Sequence, residues 1–350
     1  MQAPTVITEF TLKTGEILHL DIYQPGVAEP PAPLEDIRDL IVQPRQPWFG
    51  PADREEVQRS LWGRLVDTRQ DFYFLGRIAS QYVGGVWYQV SRRTPEVGAL
   101  GYTFSDPAHR NKGISYLLCA AAVEHFRGRG GLCLYLGTAN PTAHRVYEKC
   151  GFRDYNGRVM RYVAPPNEHQ AFDSQLFAHC GPAQIRQVEW GDAGMMNALY
   201  SAPYPWLIRD YELRSFSHPA VQQTRCHIFP EIISRVETEE GACLVLDNPR
   251  NRLVGAAILT RGDPRVEQHV GTVDFVVQPG YMSQAPQLVS SLVEAAGTRG
   301  CTIVQARLAS CDQDKKQVAE RAGFHCEAVL AERLRTGNQV CDLEVWSRTA

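Results

Sequence analysis

A short basic stretch at residues 106 to 115, Asp-Pro-Ala-His-Arg-Asn-Lys-Gly-Ile-Ser, leads directly into an apolar run. It places Arg110, Lys112 and Gly113 together, with Ser115 just after them. A helix start carries unpaired backbone N–H groups and a partial positive charge, and glycine lets the backbone approach a ligand closely. These features together predict a site for phosphate or pyrophosphate. A basic surface loop without a ligand is the alternative interpretation.

A second group of residues follows a predicted strand further along the chain. Asn140 directly precedes Pro141, and Tyr147 lies two turns into the helix that these residues begin. Asparagine caps helix starts and proline favours the first helical position. A tyrosine hydroxyl can also serve as a proton donor in catalysis. The alternatives are that Asn140 is only a cap and that Tyr147 only packs the helix against a sheet.

The two groups together resemble the motifs of the GNAT superfamily of acetyl-CoA-dependent N-acetyltransferases. The pyrophosphate loop of that family, Arg/Gln-x-x-Gly-x-Gly/Ala, is matched by Arg110, Gly113 and Ser115, with serine replacing the usual glycine or alanine. The family's second motif, an asparagine followed seven residues later by tyrosine, is matched by Asn140 and Tyr147. The Gly-Phe that often follows this motif is also present.

The resemblance implies that acetyl-CoA is the acyl donor and cosubstrate, lying in a splayed gap between the fourth and fifth strands. Asn140 would orient the pantetheine arm, and Tyr147 would be the catalytic general acid toward the departing thiolate. A backbone N–H at the end of the fourth strand would stabilise the oxyanion. Neither a covalent acyl-enzyme nor a metal is implied. The implied cofactor-binding residues are Thr103, Phe104, Ser105, Arg110, Asn111, Lys112, Gly113, Ile114, Ser115 and Asn140.

The group that deprotonates the acceptor amine is less determined. Tyr88, late in the third strand, and Glu96, at the start of the fourth, could point toward a substrate cleft as base or substrate contact, and a water chain is the alternative. His144 lies one turn before Tyr147 and is interpreted as a solvated histidine. The aromatic stretch at residues 86 to 90 could line an acceptor pocket, although a buried strand has the same pattern.

Regular elements must position these residues, and the pattern predicts an α/β fold with mixed α and β elements. Enrichment in β-branched and aromatic residues predicts strands at 16–24, 71–78, 82–90, 97–105 and 132–139, with a closing hairpin at 152–163. Apolar periodicity with start and stop signals predicts helices at 52–67, 112–126 and 141–150. The resemblance implies that the sheet is mixed, mostly antiparallel, splayed between strands 4 and 5, and flanked by helices.

The second half of the chain repeats the plan of the first. Pro107 matches Pro279, and Cys-Gly-Phe at 150 to 152 matches Ala-Gly-Phe at 322 to 324, both at an offset of 172 residues. A repeat of this length predicts two similar domains rather than a solenoid. The expected division is an N-terminal GNAT domain that binds acetyl-CoA and is catalytic at 1–163, a linker at 164–182, and a C-terminal GNAT-like domain at 183–350.

The second copy departs from the motifs at each chemical position, so it is expected to be degenerate. The offset places the following residues at positions 110, 113, 115, 140 and 147, respectively: Met282, Ala285, Gln287, Asp312 and Ala319. Pro286 also removes one N–H from the presumed phosphate cradle. We expect this half to keep the fold without using acetyl-CoA, to cover the substrate cleft and to complete a pseudo-dimer within one monomer. A further homodimer is the alternative.

The composition and the net charge limit the classes of partner that we expect. The 350 residues carry a formal net charge of −3, which gives no reason to expect nucleic acid or an anionic membrane as a partner. No signal-peptide pattern or membrane-length apolar run is present in the sequence. Ten cysteines without a Cys-x-x-Cys pair predict reduced thiols and a cytoplasmic location. The expected partner is a small-molecule amine. Longer-acyl transfer, malonyl decarboxylation and a non-catalytic CoA-binding module remain as alternatives.

Overall fold

The computed structural model describes residues 9–43, 49–213, 215–216, 228–336 and 339–350. Two mostly antiparallel sheets flanked by helices follow one another along this part of the chain. This architecture confirms the predicted fold class, two similar α/β units in tandem.

The first sheet has eight strands, rich in β-branched and aromatic residues that suit a half-buried pleated surface. Their bounds are β1 Glu9–Thr11, β2 Ile17–Tyr23, β3 Arg69–Ile78, β4 Gln81–Ser91, β5 Val97–Ser105, β6 Cys133–Gly137, β7 Arg153–Asn156 and β8 Val159–Val163. The spatial order is β1-β2-β3-β4-β5-β6-β8-β7. Only β5 and β6 run parallel, and all other neighbours are antiparallel.

The second sheet reproduces this arrangement. Its strands, with a separate two-stranded sheet of β10 and β11, are β9 Gln184–Gln187, β10 Ile208–Asp210, β11 Ser215–Phe216, β12 Gly241–Asp247, β13 Leu253–Arg261, β14 Val270–Val277, β15 Ile303–Ala309, β16 His325–Thr336 and β17 Gln339–Thr349. The order is β9-β12-β13-β14-β15-β17-β16, and only β14 and β15 are parallel. Strands β12 to β17 thus repeat the order of β3 to β8.

The helices cover the sheets and connect the parallel strands. Their bounds are α1 Leu34–Val42, α2 Pro51–Leu61, α3 Ile114–Gly128, α4 Pro141–Lys149, α5 Phe172–Leu176, α6 Ala193–Ser201, α7 Ile228–Glu237, α8 Ala285–Thr298 and α9 Gln313–Arg321. Helix α2 ends six residues before the predicted end at Asp67, in a run of turns. Among the helices described, none combines the length and apolarity needed to cross a bilayer.

Two features of the first sheet open its centre. Strands β5 and β6 pair at only three positions, residues 97 to 99 with residues 133 to 135, and then separate. The register of β4 and β5 also shifts, because one residue of β4 faces both Tyr102 and Thr103 of β5. Tyr102 has a φ of +51°, so the backbone here leaves the ordinary strand conformation. The second sheet has the same splay, but β13 and β14 pair without a shift in register.

The segment expected to be a linker is folded against both halves. Phe172 and Leu176 of α5 are buried in a core that contains side chains from both sheets. Asp173 accepts a hydrogen bond from Arg161 at 2.6 Å. The sequence pattern concealed this packing because a five-residue helix is too short to show periodicity.

The two halves approach each other closely where α6 crosses β5. A Cβ atom at Gly194 would lie only 2.8 Å from the carbonyl oxygen of Val97, so glycine is required for this contact. Ion pairs join Arg93 to Glu189 at 3.0 Å and Arg252 to Glu96. The halves therefore share a continuous interior.

Candidate functional site

A cavity of about 650 Å³ lies at the open end of the splay in the first sheet. The ends of β5 and β6 and the first turns of α4 form one part of its wall. Helices α6 and α7 of the second half close another part, through Ala193, Asn197 and Phe229. The cavity therefore belongs to both halves.

The cofactor-binding residues expected on β5 lie at this opening. Thr103 lines the cavity, and Phe104 and Ser105 continue the strand beyond the shift in register. Beyond residue 99 this edge of β5 no longer pairs with β6, so the strand can bind an extended ligand along it. The bulge lies on the same segment and disrupts the ladder to β4 locally.

The phosphate loop leads from β5 into α3. Gly113 is the N-cap of α3 at a φ of +88°, and Asn111 has a φ of +64°, so the loop turns through two left-handed residues. Within the described residues, the five backbone N–H groups of residues 112 to 116 have no hydrogen-bond acceptor. These free donors fit an anionic diphosphate.

The side chains of the loop differ in what they contact. Arg110 is exposed to solvent at the loop. Lys112 instead donates to Glu16 at 2.7 Å, so its charge is already paired. The Ser115 hydroxyl lies 2.7 Å from that of Ser105, which directs it toward β5 and leaves the cradle uncrowded.

Asn140 and Tyr147 both line the cavity from α4. The Asn140 side chain accepts a hydrogen bond from the Thr142 N–H at 2.9 Å, so it caps the helix as the alternative interpretation proposed. Tyr147 is 7% exposed and its ring lies 5.9 Å from that of Phe152. The side chain packs in the core and reaches the cavity, so the packing and proton-donor interpretations are compatible.

Neither candidate base is brought to the cavity. Tyr88 faces the opposite side of β4 from the cavity-lining Trp87, and it is buried beneath α3, where its hydroxyl lies 2.6 Å from Nδ1 of His125. Burial raises the pKa of Tyr88 far above its ordinary value, which further disfavours it as a base. Glu96 is held in the ion pair with Arg252 between the halves. Strand alternation, which places neighbours on opposite faces, accounts for the position of Tyr88.

A different carboxylate, Glu56 of α2, lines the cavity. It accepts hydrogen bonds from Arg69 at 2.6 Å and from the Tyr102 hydroxyl at 2.7 Å. Burial, and then Glu56, raise the pKa of Tyr102 well above its usual range, so Tyr102 stays protonated as a donor. Asp71 also accepts from Arg69, at 3.0 Å, and from the Trp87 indole at 2.8 Å.

The sequence pattern did not single out Glu56, because an acidic residue in a charged helix resembles a solvated one. Trp87, in contrast, belongs to the aromatic stretch that was predicted to line an acceptor pocket. Its side chain does line the cavity. The described residues contain no cluster of three or more His, Cys, Asp or Glu side chains arranged to hold a metal ion.

In the second half, the corresponding gap between β14 and β15 is occupied by another segment of the same chain. Asp312, which occupies the position of Asn140 in the repeat, accepts hydrogen bonds from the N–H groups of Leu207 and Ile208 at 2.6 and 3.0 Å. Across the gap, the Tyr211 N–H donates to Asp274 of β14 at 2.7 Å.

A buried lysine completes the contacts of this inserted segment. Lys315 of α9, fully buried, donates to the carbonyl oxygens of Ile208 and Arg209 at 3.1 and 2.9 Å and pairs with Asp274. The Ile208 side chain packs against Ala309 at the end of β15. The inserted segment, residues 207–211, therefore connects β14, β15 and α9 at the opening of the second splay.

Comparison with known proteins gives one family match and several relatives. The model of the acetyltransferase (GNAT) family matches residues 34–152. A mycothiol acetyltransferase of Thermomonospora curvata is 29% identical over 133 residues, which are 37% of this chain and 38% of that protein. One from Nocardia farcinica is 30% identical over 118 residues, 33% of this chain and 34% of that protein. The chain thus spans well under half the length of the curated relatives that it matches.

Comparison with solved structures gives matches that cover about half of this chain. A phosphinothricin acetyltransferase of Sinorhizobium meliloti in complex with AcCoA has a TM-score of 0.42 at 12% identity, covering 48% of this chain and 89% of that one. A spermidine N-acetyltransferase of Vibrio cholerae in complex with CoA and spermine has a TM-score of 0.39 at 14% identity, covering 48% and 95%.

Proposed function

We propose that the protein transfers an acetyl group from acetyl-CoA to the amine of a small molecule, since the model of the acetyltransferase (GNAT) family matches residues 34–152. One observation carries this proposal. The bulged end of β5, Asn140 and Tyr147 meet at a single cavity, and the phosphate loop adjoins it through the Ser105–Ser115 contact. The curated relatives named as mycothiol acetyltransferases support acetyl transfer to a small molecule.

The residues present fit acetyl-CoA as cosubstrate. The N–H groups at the start of α3 hold the pyrophosphate, with the exposed Arg110 adding charge. The edge of β5 from Thr103 to Ser105 binds the pantetheine arm, which Asn140 helps to orient. When bound, acetyl-CoA supplies an activated acetyl thioester. A longer acyl chain is the alternative donor.

The chain's own residues then support direct attack by the amine. A backbone N–H at the end of β5 donates to the oxygen on which charge develops. The Tyr147 hydroxyl gives its proton to the departing sulfur. Closure of the cavity by the second half limits access of water, which protects the thioester from hydrolysis.

We propose a supporting role for the second half and retain the division at 1–163, 164–182 and 183–350. The inserted segment 207–211 competes for the place of a pantetheine arm, and the straight register of β13 and β14 offers no bulge. This half therefore covers the acceptor cavity and completes an intramolecular pseudo-dimer. All nine described cysteines are free thiols, which supports the expectation of a cytoplasmic location.

Calorimetric titration with acetyl-CoA tests the proposal. The wild-type protein should bind with a stoichiometry near one, and an Arg110→Glu, Gly113→Asp double variant should lose binding while it remains folded, as checked by circular dichroism. A stoichiometry near two would contradict the role given to the second half. Absence of binding would refute the acetyl-CoA proposal, and turnover with malonyl-CoA in place of acetyl-CoA would redirect it to decarboxylation.

A further inference from the structure

The cavity contains a buried carboxylate that the proposed cofactor chemistry does not use. Glu56 is 4% exposed, and each of its two oxygens accepts one hydrogen bond, from Arg69 and from Tyr102. A carboxylate has about four acceptor positions, so about two remain for a ligand. The side chain lines the cavity, and the remaining positions are therefore within reach of a bound molecule.

The charges around Glu56 favour a cation. Arg69 is fully buried between Glu56 and Asp71, so two carboxylates share one guanidinium and the cluster retains one negative charge. Burial lowers the pKa of Arg69, but Asp71 and Glu56 outweigh this effect, so the guanidinium remains charged. Tyr73 and Tyr102, the other titratable groups beside Glu56, have their pKa values raised by burial and stay neutral.

Aromatic rings line the same cavity as the carboxylate. The Trp87 and Tyr102 rings are stacked at 4.6 Å, and Phe49 meets Tyr102 edge-on at 5.5 Å. Phe229 adds a further ring from the second half. Aromatic faces attract cations and pack against apolar groups. Such a wall suits a ligand with an ammonium group on an apolar or aromatic body.

We propose that Glu56 binds the ammonium group of the acceptor and receives its proton, and that the acceptor class is a primary amine on an apolar or aromatic body. This inference rests on the proposed acetyl transfer. An ammonium N–H bond breaks and its proton passes to a Glu56 oxygen, and the freed electron pair forms the N–C bond. As the C–S bond breaks, Tyr147 protonates the sulfur and a second N–H proton leaves the nitrogen to water, which gives the neutral amide. Water passes that proton to Tyr147 and carries the one on Glu56 to solvent.

The test compares two probes that differ in charge. Phenethylamine and 2-phenylethanol are titrated calorimetrically into the full-length protein saturated with CoA at pH 7. We expect the amine to bind at least about tenfold more tightly, since hydrogen bonds to a charged group exceed neutral ones by this order. The preference should fall below about twofold in Glu56→Gln and persist in Glu55→Gln, an exposed neighbour with the same charge change.

Equal binding of the two probes, no binding of the amine, or an unchanged preference in Glu56→Gln would each overturn the inference. If Glu56→Gln does not fold, Glu56→Asp, which keeps the charge but withdraws it by one methylene, should weaken amine binding selectively. A parallel acetyl-CoA titration of the wild type separates the two proposals. Binding of acetyl-CoA without an amine preference defeats only the role of Glu56, whereas an amine preference without acetyl-CoA binding defeats the acetyl transfer.

Discussion

Asp312 accepts a hydrogen bond from the backbone N–H of Leu207 at 2.6 Å, from the position that Asn140 occupies in the first half. Its second oxygen accepts from Ile208 at 3.0 Å. Both side chains stand at the start of an equivalent helix, but Asn140 borders an open cavity, whereas Asp312 borders a gap that contains the chain's own backbone. The side chain at the equivalent position thus borders a cavity in the first half and binds the chain's own backbone in the second.

Replacing Asp312 with alanine should lower the free energy of unfolding by about 2–4 kcal/mol, because two N–H groups lose their acceptor, one of them in a buried residue. Urea denaturation measures the effect. The exposed Asp314→Ala on the same helix should change stability by less than about 0.5 kcal/mol. Equal effects in the two variants would show that the inserted segment does not depend on Asp312.

Gly113→Ala should weaken acetyl-CoA binding while destabilising the fold by about 1–2 kcal/mol, because alanine disfavours a φ of +88°. Gly130→Ala is a matched control. It has a φ of +85°, and a Cβ atom at either glycine would meet nothing within 4 Å. The two variants should unfold alike, but only Gly113→Ala should lose affinity in calorimetry, by about tenfold. A similar loss in both would attribute it to general strain.

Tyr147→Phe should lower kcat by about a hundredfold with little change in acetyl-CoA affinity, because it removes only the proposed proton donor. Turnover is followed by release of the CoA thiol with an acceptor amine. Tyr23→Phe removes a hydroxyl that donates to the Leu61 carbonyl in the core and should leave kcat unchanged. Normal turnover by Tyr147→Phe would exclude Tyr147 as the general acid.

Stability should fall in mild acid because of His125. Burial, with a smaller contribution from Arg129, lowers its pKa to about 4. As the pH falls from about 6.5, the unfolded chain takes up the proton and the folded chain does not, so stability is lost until about pH 4. The partial exposure of the ring limits the loss to about 1–2 kcal/mol. Urea unfolding at pH 7 and pH 5 should show this loss in the wild type and less of it in His125→Gln.

His144 serves as a control because its ionisation changes stability with pH in the opposite direction. Its hydrogen bond to Asp154 raises its pKa, so its contribution is present at low pH and is lost as the pH rises through the raised value. His144→Gln should therefore make the acid loss steeper, whereas His125→Gln should make it shallower. A shallower acid loss in His144→Gln would contradict the assignment of His144, and a steeper one in His125→Gln would contradict that of His125.

The sequence predicted the fold because its signals were local and repeated. Proline at 107 and 279 begins a 3₁₀ turn in both halves, and α4 and α9 begin and end at positions 172 residues apart. The start of α3 was predicted to within two residues from the apolar run that follows the basic loop. Local signals of this kind can be recognised in the sequence without knowledge of the tertiary structure.

The acceptor side of the site was not predictable in the same way. Glu56 becomes distinctive only when Arg69, thirteen residues away, and Tyr102, on another strand, pack around it. The bulge at Tyr102 depends on a register between β4 and β5 that no motif encodes. The inserted segment in the second half is likewise a long-range contact, spanning about a hundred residues from Ile208 to Asp312.

The two halves of the chain contribute different residues to the wall of the cavity. The phosphate loop, Asn140 and Tyr147 are encoded in the first half, whereas Asn197 and Phe229, which line the same cavity as Asn140 and Tyr147, are encoded in the second. If the second half binds no ligand of its own, as proposed, substitutions at its cavity-lining residues can change which acceptor fits while Asn140 and Tyr147 stay the same.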